Sequence, residues 1–329
     1  MSLTPNMIGD FFGSSAGTFV ILGARGGTVP SNAGVVGREK VAENSSPIPR
    51  DRFFFNYAYF DEVPFIAGGL AVNRFTPGIE RTFFDGQASV EVRVPMAATL
   101  DSPFQVGSGG GHSYEVGDVT LMLKSVLWSN DTSLLATGLS LTLPTAPDFT
   151  VNGPGTTATV HSESVHLMPY VGGLYSPNDR FFAQTFLQFD FDASGNPVSV
   201  NGVRTGTLQD PTFVYFDTAV GYWMHRRRCG RVRGVAPTFE LHYSSSLQPG
   251  DLVLNPNMTG IGSTARNIDV LNATIGVTVL LQNNATVTAA FATPLGNSAD
   301  RQFDGEFRLL LNWFFGRSRN ARRFIGNRR

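Results

Sequence analysis

From Arg52 to Phe315, apolar and polar side chains alternate with a period of two. Val235, Pro237, Phe239, Leu241 and Tyr243 oppose Ala236, Thr238, Glu240, His242 and Ser244. Leu271, Ala273, Ile275, Val277, Val279 and Leu281 oppose Asn272, Thr274, Gly276 and Thr278. The last run sets Phe307, Leu309, Leu311, Trp313 and Phe315 against Glu306, Arg308, Leu310, Asn312 and Phe314. This period belongs to strands whose two faces meet different surroundings. The runs are roughly 9–14 residues long, whereas ordinary strands have about 5–6 and a tilted strand crossing a bilayer needs about 9–11.

The connections alternate too. Short turns fall at Asp85-Gly86, Ser129-Asn130-Asp131, Pro177-Asn178-Asp179, around Arg228-Cys229-Gly230, and at Asn283-Asn284. Long Gly- and Pro-rich connections run over Asp61–Val72, Ala97–Gly117, Pro147–Ala158, Ala193–Asp210 and Ser244–Arg266, with a shorter one at Leu295–Arg301. Short turns at one end and long loops at the other predict an all-β fold. The expected form is a transmembrane antiparallel up-and-down β-barrel of about twelve strands, or about fourteen if Thr18–Gly23 and Val35–Ala42 add a pair.

Some stretches break the pattern. His161–Leu174 mixes its faces around Pro169 and Gly172-Gly173, which predicts a bulge or a bend. Phe186 stands on a polar parity, and Arg52–Phe60 is aromatic on both. Arg74, Glu80 and Arg81 fit strand ends near the interface, where a charge costs about 0–1 kcal/mol rather than about 2–4 at the midplane.

Charged residues make up only 16% of the chain, against about 25% in an average soluble domain, so the surface is poor in charge. No run of 18 apolar residues supplies a transmembrane helix, so a membrane reading rests on strands alone. The single cysteine, Cys229, excludes an internal disulfide, and a net charge of −1 gives no overall bias toward nucleic acid. Met1–Val20 lacks the basic and long apolar regions of a secretory signal, so an exported protein is expected here in processed or recombinant form.

Four stretches, PRDRFFFNYAYFDEV, ERTFFDGQASVEVRVP, TGLSLTLPT and EFRLLLNWFF, together with the loop rhythm, resemble bacterial outer-membrane β-barrel proteins of the porin-like and transport group. The likeness covers about Pro49 to Phe315 and reports no substrate. Its final strand departs from the family's pattern because a basic tail follows it. The resemblance implies a transmembrane barrel over residues 47–316; outside it lie an expected N-terminal extension or plug over 1–46 and a basic C-terminal tail over 317–329. It implies an outer-membrane location and passive passage of small solutes through a polar, loop-narrowed lumen, with no enzyme activity and no cofactor. Two alternatives stay open: a closed structural or adhesive barrel that binds partners through its loops, and a soluble all-β, capsid-like shell.

Polar parity collects Glu91, Arg93, Lys124, Asp190, Asp192, Glu240, His242, Glu306 and Arg308 as candidate lumen-lining groups. In a wide barrel they face water; in a narrow one they pair and close it. Both signs occur, so no strong ion selectivity follows. His161, Glu163 and His166 are a weak metal motif, because alternation turns His166 away from the other two. Arg226, Arg227, Arg228, Arg231 and Arg233 form a basic turn on the side of both termini, the periplasmic side in this family. Anionic lipid or cell-wall polymer is the expected partner there, beside the lipid bilayer and small solutes.

Overall fold

The computed structural model describes residues 4–10, 18–22, 27–30, 39–63, 70–98, 114–153, 156–254, 260–262, 268–296 and 301–315. Twelve strands make a closed ring. They are β1 (Arg52–Val63), β2 (Leu70–Phe83), β3 (Ala88–Arg93), β4 (Val119–Ser129), β5 (Ser133–Leu143) and β6 (His166–Tyr175). The second half is β7 (Phe181–Asp192), β8 (Phe213–Tyr222), β9 (Val232–Ser246), β10 (Asp269–Leu281), β11 (Ala285–Pro294) and β12 (Gly305–Phe314). Each strand pairs antiparallel with its neighbours in sequence, and β12 closes on β1 with Leu310 opposite Asn56. A closed ring leaves no strand edge unpaired, which is what lets strands cross a bilayer.

Alternation sorts the side chains. Leu123, Val171, Leu187, Val220, Phe239, Ile275, Val277 and Leu311 are exposed on the outer face. Aromatics collect near its margins. Phe53, Phe83, Trp128, Tyr175, Tyr222 and Trp313 stand at the turn end, where Phe53 lies 4.7 Å from Phe315, and Phe191, Tyr243, Phe291 and Phe307 stand nearer the loop end. An apolar band between aromatic girdles is a surface made for lipid. The opposite parity is buried and largely polar.

Three local expectations change. β6 alternates without a bulge; only its pairing to β7 lapses, at Met168 and Pro169, where the proline has no N–H to give. The register shifts lie instead at Phe60/Val63, Val126/Trp128 and Val232/Gly234. Arg74 and Glu80 are not interfacial but buried inside the ring, and only Arg81 is exposed at the turn end. Phe54, Arg52 and Arg93 explain how an aromatic fits the inner face of β1: both guanidinium groups stack on the Phe54 ring, at 4.4 and 5.8 Å.

The long connections carry structure of their own. Phe149–Gly153, Thr156–Val160, Asn196–Val200 and Val203–Leu208 form one four-stranded antiparallel sheet. Its apolar side packs Ala158, Val160, Val198, Val200 and Leu208 together. A second sheet joins Leu252–Leu254 and Gly260–Gly262 to Thr18–Leu22 and Gly27–Pro30. The expected run at Thr18–Gly23 therefore extends a loop sheet and does not widen the wall, because β12 and β1 already satisfy each other; of the other expected run, Val35–Ala42, residues 39–42 form no strand and 35–38 lie outside the described residues.

Candidate functional site

The inner face is met by two stretches of the N-terminal segment. Residues 4–10 and 39–46 are almost entirely buried and pair with each other, Met7 N–H donating to Ser45 O at 2.7 Å and Asn44 N–H to Ile8 O at 3.2 Å. Gly9 makes this close approach feasible: its φ is +80°, and a Cβ there would lie 2.7 Å from Glu43 Cα. Their partners come from around the ring. The Ile8 and Gly9 N–H groups donate to the two Glu240 oxygens on β9, both at 2.8 Å. Val41 N–H donates to Gln188 on β7 at 2.8 Å, and Asn44 donates to Asn56 on β1 at 2.6 Å. Asn272 on β10 donates to Asp10 at 2.7 Å. A single segment that touches opposite walls of a closed ring occupies its interior.

Direction follows from the same contacts. Asn6 lies near Arg50 and Asn312 at the turn end, whereas Asp10 and Lys40 meet Asn272 and Ser244 toward the loop end. The chain thus runs up the lumen, contributes Thr18–Leu22 and Gly27–Pro30 to a loop-end sheet, and returns to begin β1.

Charge is divided across the lumen. On β12 and β1 to β4 the inward groups are Arg308, Glu306, Arg52, Arg74, Glu80, Glu91, Arg93 and Lys124. Across the ring, β7 to β9 present Asp190, Asp192, Asp217, Glu240 and His242. The N-terminal segment answers both sides. Glu43 accepts from Arg74 and from Arg308, the latter at 2.7 Å, and Glu39 lies 3.6 Å from Arg93. Lys40 reaches Asp217 at 2.8 Å and Asp10 at 2.6 Å. Burial pushes the Asp10 carboxyl up, but the Lys40 and His242 charges outweigh it and hold it at about 2. Burial alone would lower the Lys40 ammonium; Asp10 and Asp217 hold it above its ordinary value. Burial, with Glu43 close by, raises the Glu39 carboxyl.

Apolar contacts complete the fit. Met7, Val41 and Ala42 pack with Met122, Tyr170, Phe186 and Ala219, and Ile8 packs with Ala290 and Leu310. Phe186 and Leu310, out of place on a water-lined face, are therefore the seats of this segment.

All nine candidate lumen groups, Glu91, Arg93, Lys124, Asp190, Asp192, Glu240, His242, Glu306 and Arg308, point inward and are buried. Arg93, Lys124, Glu240 and Arg308 touch the N-terminal segment directly, while Glu91 and Glu306 hold Arg93 and Arg308 from the wall. Asp10, Glu39, Lys40, Glu43, Arg52, Arg74, Glu80 and Asp217 belong to the same network and are absent from the parity set. The apolar Phe186 and Leu310 on a polar parity were the available signal for an inner occupant. The central residues of two long loops, 99–113 and 255–259 with 263–267, lie outside the described residues.

The histidine candidates separate. His161 pairs with Asp148 at 2.7 Å and Ser199 at 3.0 Å in the loop-end sheet. Below it, inside the ring, His166 Nδ1 lies 2.9 Å from Asp190 and Nε2 lies 3.1 Å from Ser164 Oγ. The Ser164 hydroxyl donates to Asp192 at 2.5 Å, so its proton is directed at that carboxylate. These contacts brace the loop end. Arg226, Arg227, Arg228 and Arg231 are exposed in the turn between β8 and β9, with Arg233 partly buried, and the basic tail lies outside the described residues.

No protein-family model matches the chain, and no curated protein matches it. Solved structures do. An outer membrane channel from Pseudomonas putida F1 aligns with a TM-score of 0.55 and 10% identity, over 82% of this chain and 97% of that one. The NanC porin aligns at 0.47 with 9% identity, over 80% and 100%. The toluene transporter TodX of Pseudomonas putida aligns at 0.42 with 9% identity, over 94% and 99%. Together with the closed ring of twelve antiparallel strands, the first of these likenesses shows that the chain has the fold of the bacterial outer-membrane β-barrels.

Proposed function

We propose that the protein is an outer-membrane channel for small solutes held shut by its own N-terminal segment. The observation that carries this reading is that the inner wall leaves charges for residues 39–43 to neutralise. Glu43 serves Arg74 and Arg308, and Lys40 serves Asp217. A barrel built as a solid rod would do better with apolar filling, since replacing buried ion pairs by packed apolar groups is often neutral or stabilising. The wall instead retains a polar, bipolar lumen of the kind a solute path requires. The solved channel of like fold agrees with this use of the architecture. Passage is passive diffusion after the segment withdraws, no enzyme chemistry is invoked, and the lipid-facing band seats the protein in the outer membrane. The test is conductance of the full chain in a planar bilayer, native and with Glu43→Gln. A rise in open events on weakening the segment supports the gate; an unchanged, silent bilayer for both opposes it.

A second reading has its own support. The loop end bears two four-stranded sheets, one including Thr18–Leu22 and Gly27–Pro30. A permanently closed barrel displaying these sheets to a partner is the reading that a silent bilayer favours.

A further inference from the structure

We infer that the basic side of the lumen is a binding site for a small dicarboxylate solute, and that Glu39 and Glu43 occupy it as stand-ins. This deepens the channel reading and rests on it. On β12 and β1 to β4, five cations (Arg52, Arg74, Arg93, Lys124 and Arg308) face three wall carboxylates (Glu80, Glu91 and Glu306). Ion pairs within this wall join Arg52 with Glu80 and Glu91, Arg93 with Glu91, Lys124 with Glu80, and Arg308 with Glu306. By formal charge its cations exceed its carboxylates by two. Glu43, between Arg74 and Arg308, and Glu39, against Arg93, supply two negative charges.

The stand-ins fit this side by charge better than by hydrogen bonding. Glu39 Oε2, Glu43 Oε1 and Arg93 Nη2 are buried and make no hydrogen bond. Backbone geometry explains the shortfall. The Glu43 N–H donates to Lys40 O at 3.1 Å, so the two glutamates hang from one tight turn whose other side chain, Lys40, must reach the acidic wall. A free solute is not so constrained. Its carboxylates can each take two donors from a guanidinium fork, the stronger arrangement. Two carboxylates match the excess of two charges, whereas a monocarboxylate leaves one charge uncompensated. Asp190, Asp217 and Glu240 on the far wall confine such an anion to the basic side.

The experiment uses the full chain carrying Glu39→Gln and Glu43→Gln in a planar bilayer, with folding verified by heat-modifiable gel migration. Succinate should halve the current at a concentration about tenfold below that of acetate. Adding Arg74→Gln should erase that difference; if that variant does not fold, Arg74→Lys, which keeps charge but loses the fork, should shrink it. Equal potency of succinate and acetate in a conducting variant overturns the dicarboxylate site and leaves the gate intact. A folded double variant that never conducts overturns the gate and the site together.

Discussion

Glu43 Oε2 accepts a hydrogen bond from Arg308 Nη2 at 2.7 Å, across 265 residues of chain, and Arg74 donates to the same oxygen. One carboxylate of the N-terminal segment thus joins β12 and β2, the two strands that flank β1. Removing one member of a buried charge pair costs about 3–5 kcal/mol, because the partners stay buried and unbalanced. Glu43→Gln should therefore lower the unfolding temperature in detergent, with a smaller loss for Glu43→Asp. Equal melting of Glu43→Gln and the native chain would contradict this account.

Both acid and alkali should act on the segment. Asp10 is lowered from 3.8 to about 2, so its contribution, ~2 kcal/mol, is present above 3.8 and lost as pH falls toward 2. Lys40 is raised above 10.5, so its contribution is present below 10.5 and lost as pH climbs through its raised value. Open events should increase as pH falls from 3.8 toward 2 and again as it climbs above 10.5. A monotonic pH profile in the bilayer would rule this linkage out.

Gly9→Ala tests the backbone approach inside the lumen. The substitution forces an L-residue to φ +80° and sets a Cβ 2.7 Å from Glu43 Cα. Strain at such a φ costs on the order of 1–3 kcal/mol before the clash is counted. The expected result is faster hydrogen exchange at the Met7 and Asn44 amides, while exchange at outward strand positions stays unchanged. Equal exchange throughout would show that the segment adapts freely.

The basic turn is expected to meet anionic lipid head groups. Arg226, Arg227, Arg228 and Arg231 stand beside the exposed Met224, Tyr222 and Val232, which suit the margin of the bilayer. A basic residue near an anionic surface contributes about 1 kcal/mol. Converting these four arginines to glutamine should abolish any extra thermal stability in phosphatidylglycerol over phosphatidylcholine vesicles. A preference that survives the change assigns it elsewhere.

Much of the wall was readable in one dimension. A strand's faces alternate strictly, so Val235 to Tyr243 against Ala236 to Ser244 assigns outside and inside with no knowledge of the neighbours. Turn residues such as Asn284, at φ +58°, marked the hairpin ends for the same local reason. Arg74 and Glu80 share one parity of β2 and Arg81 has the other, but with charges on both faces the pattern alone does not say which face is inward. Their burial depends on Glu43 and Lys124, which lie on other segments.

A twelve-stranded wall of membrane type, with two unlike ends, follows from the residues read in order. Period-two patterning and turn chemistry are local, and both are written in consecutive residues. What fills the wall is set in three dimensions. Residues 4–10 and 39–46 have no periodicity to announce them. Their placement comes from charge balance and contacts spanning up to 306 residues, as between Asn6 and Asn312. Such matching exists only after the ring has closed and set Arg74, Arg93 and Arg308 facing Asp217 and Glu240 across one lumen.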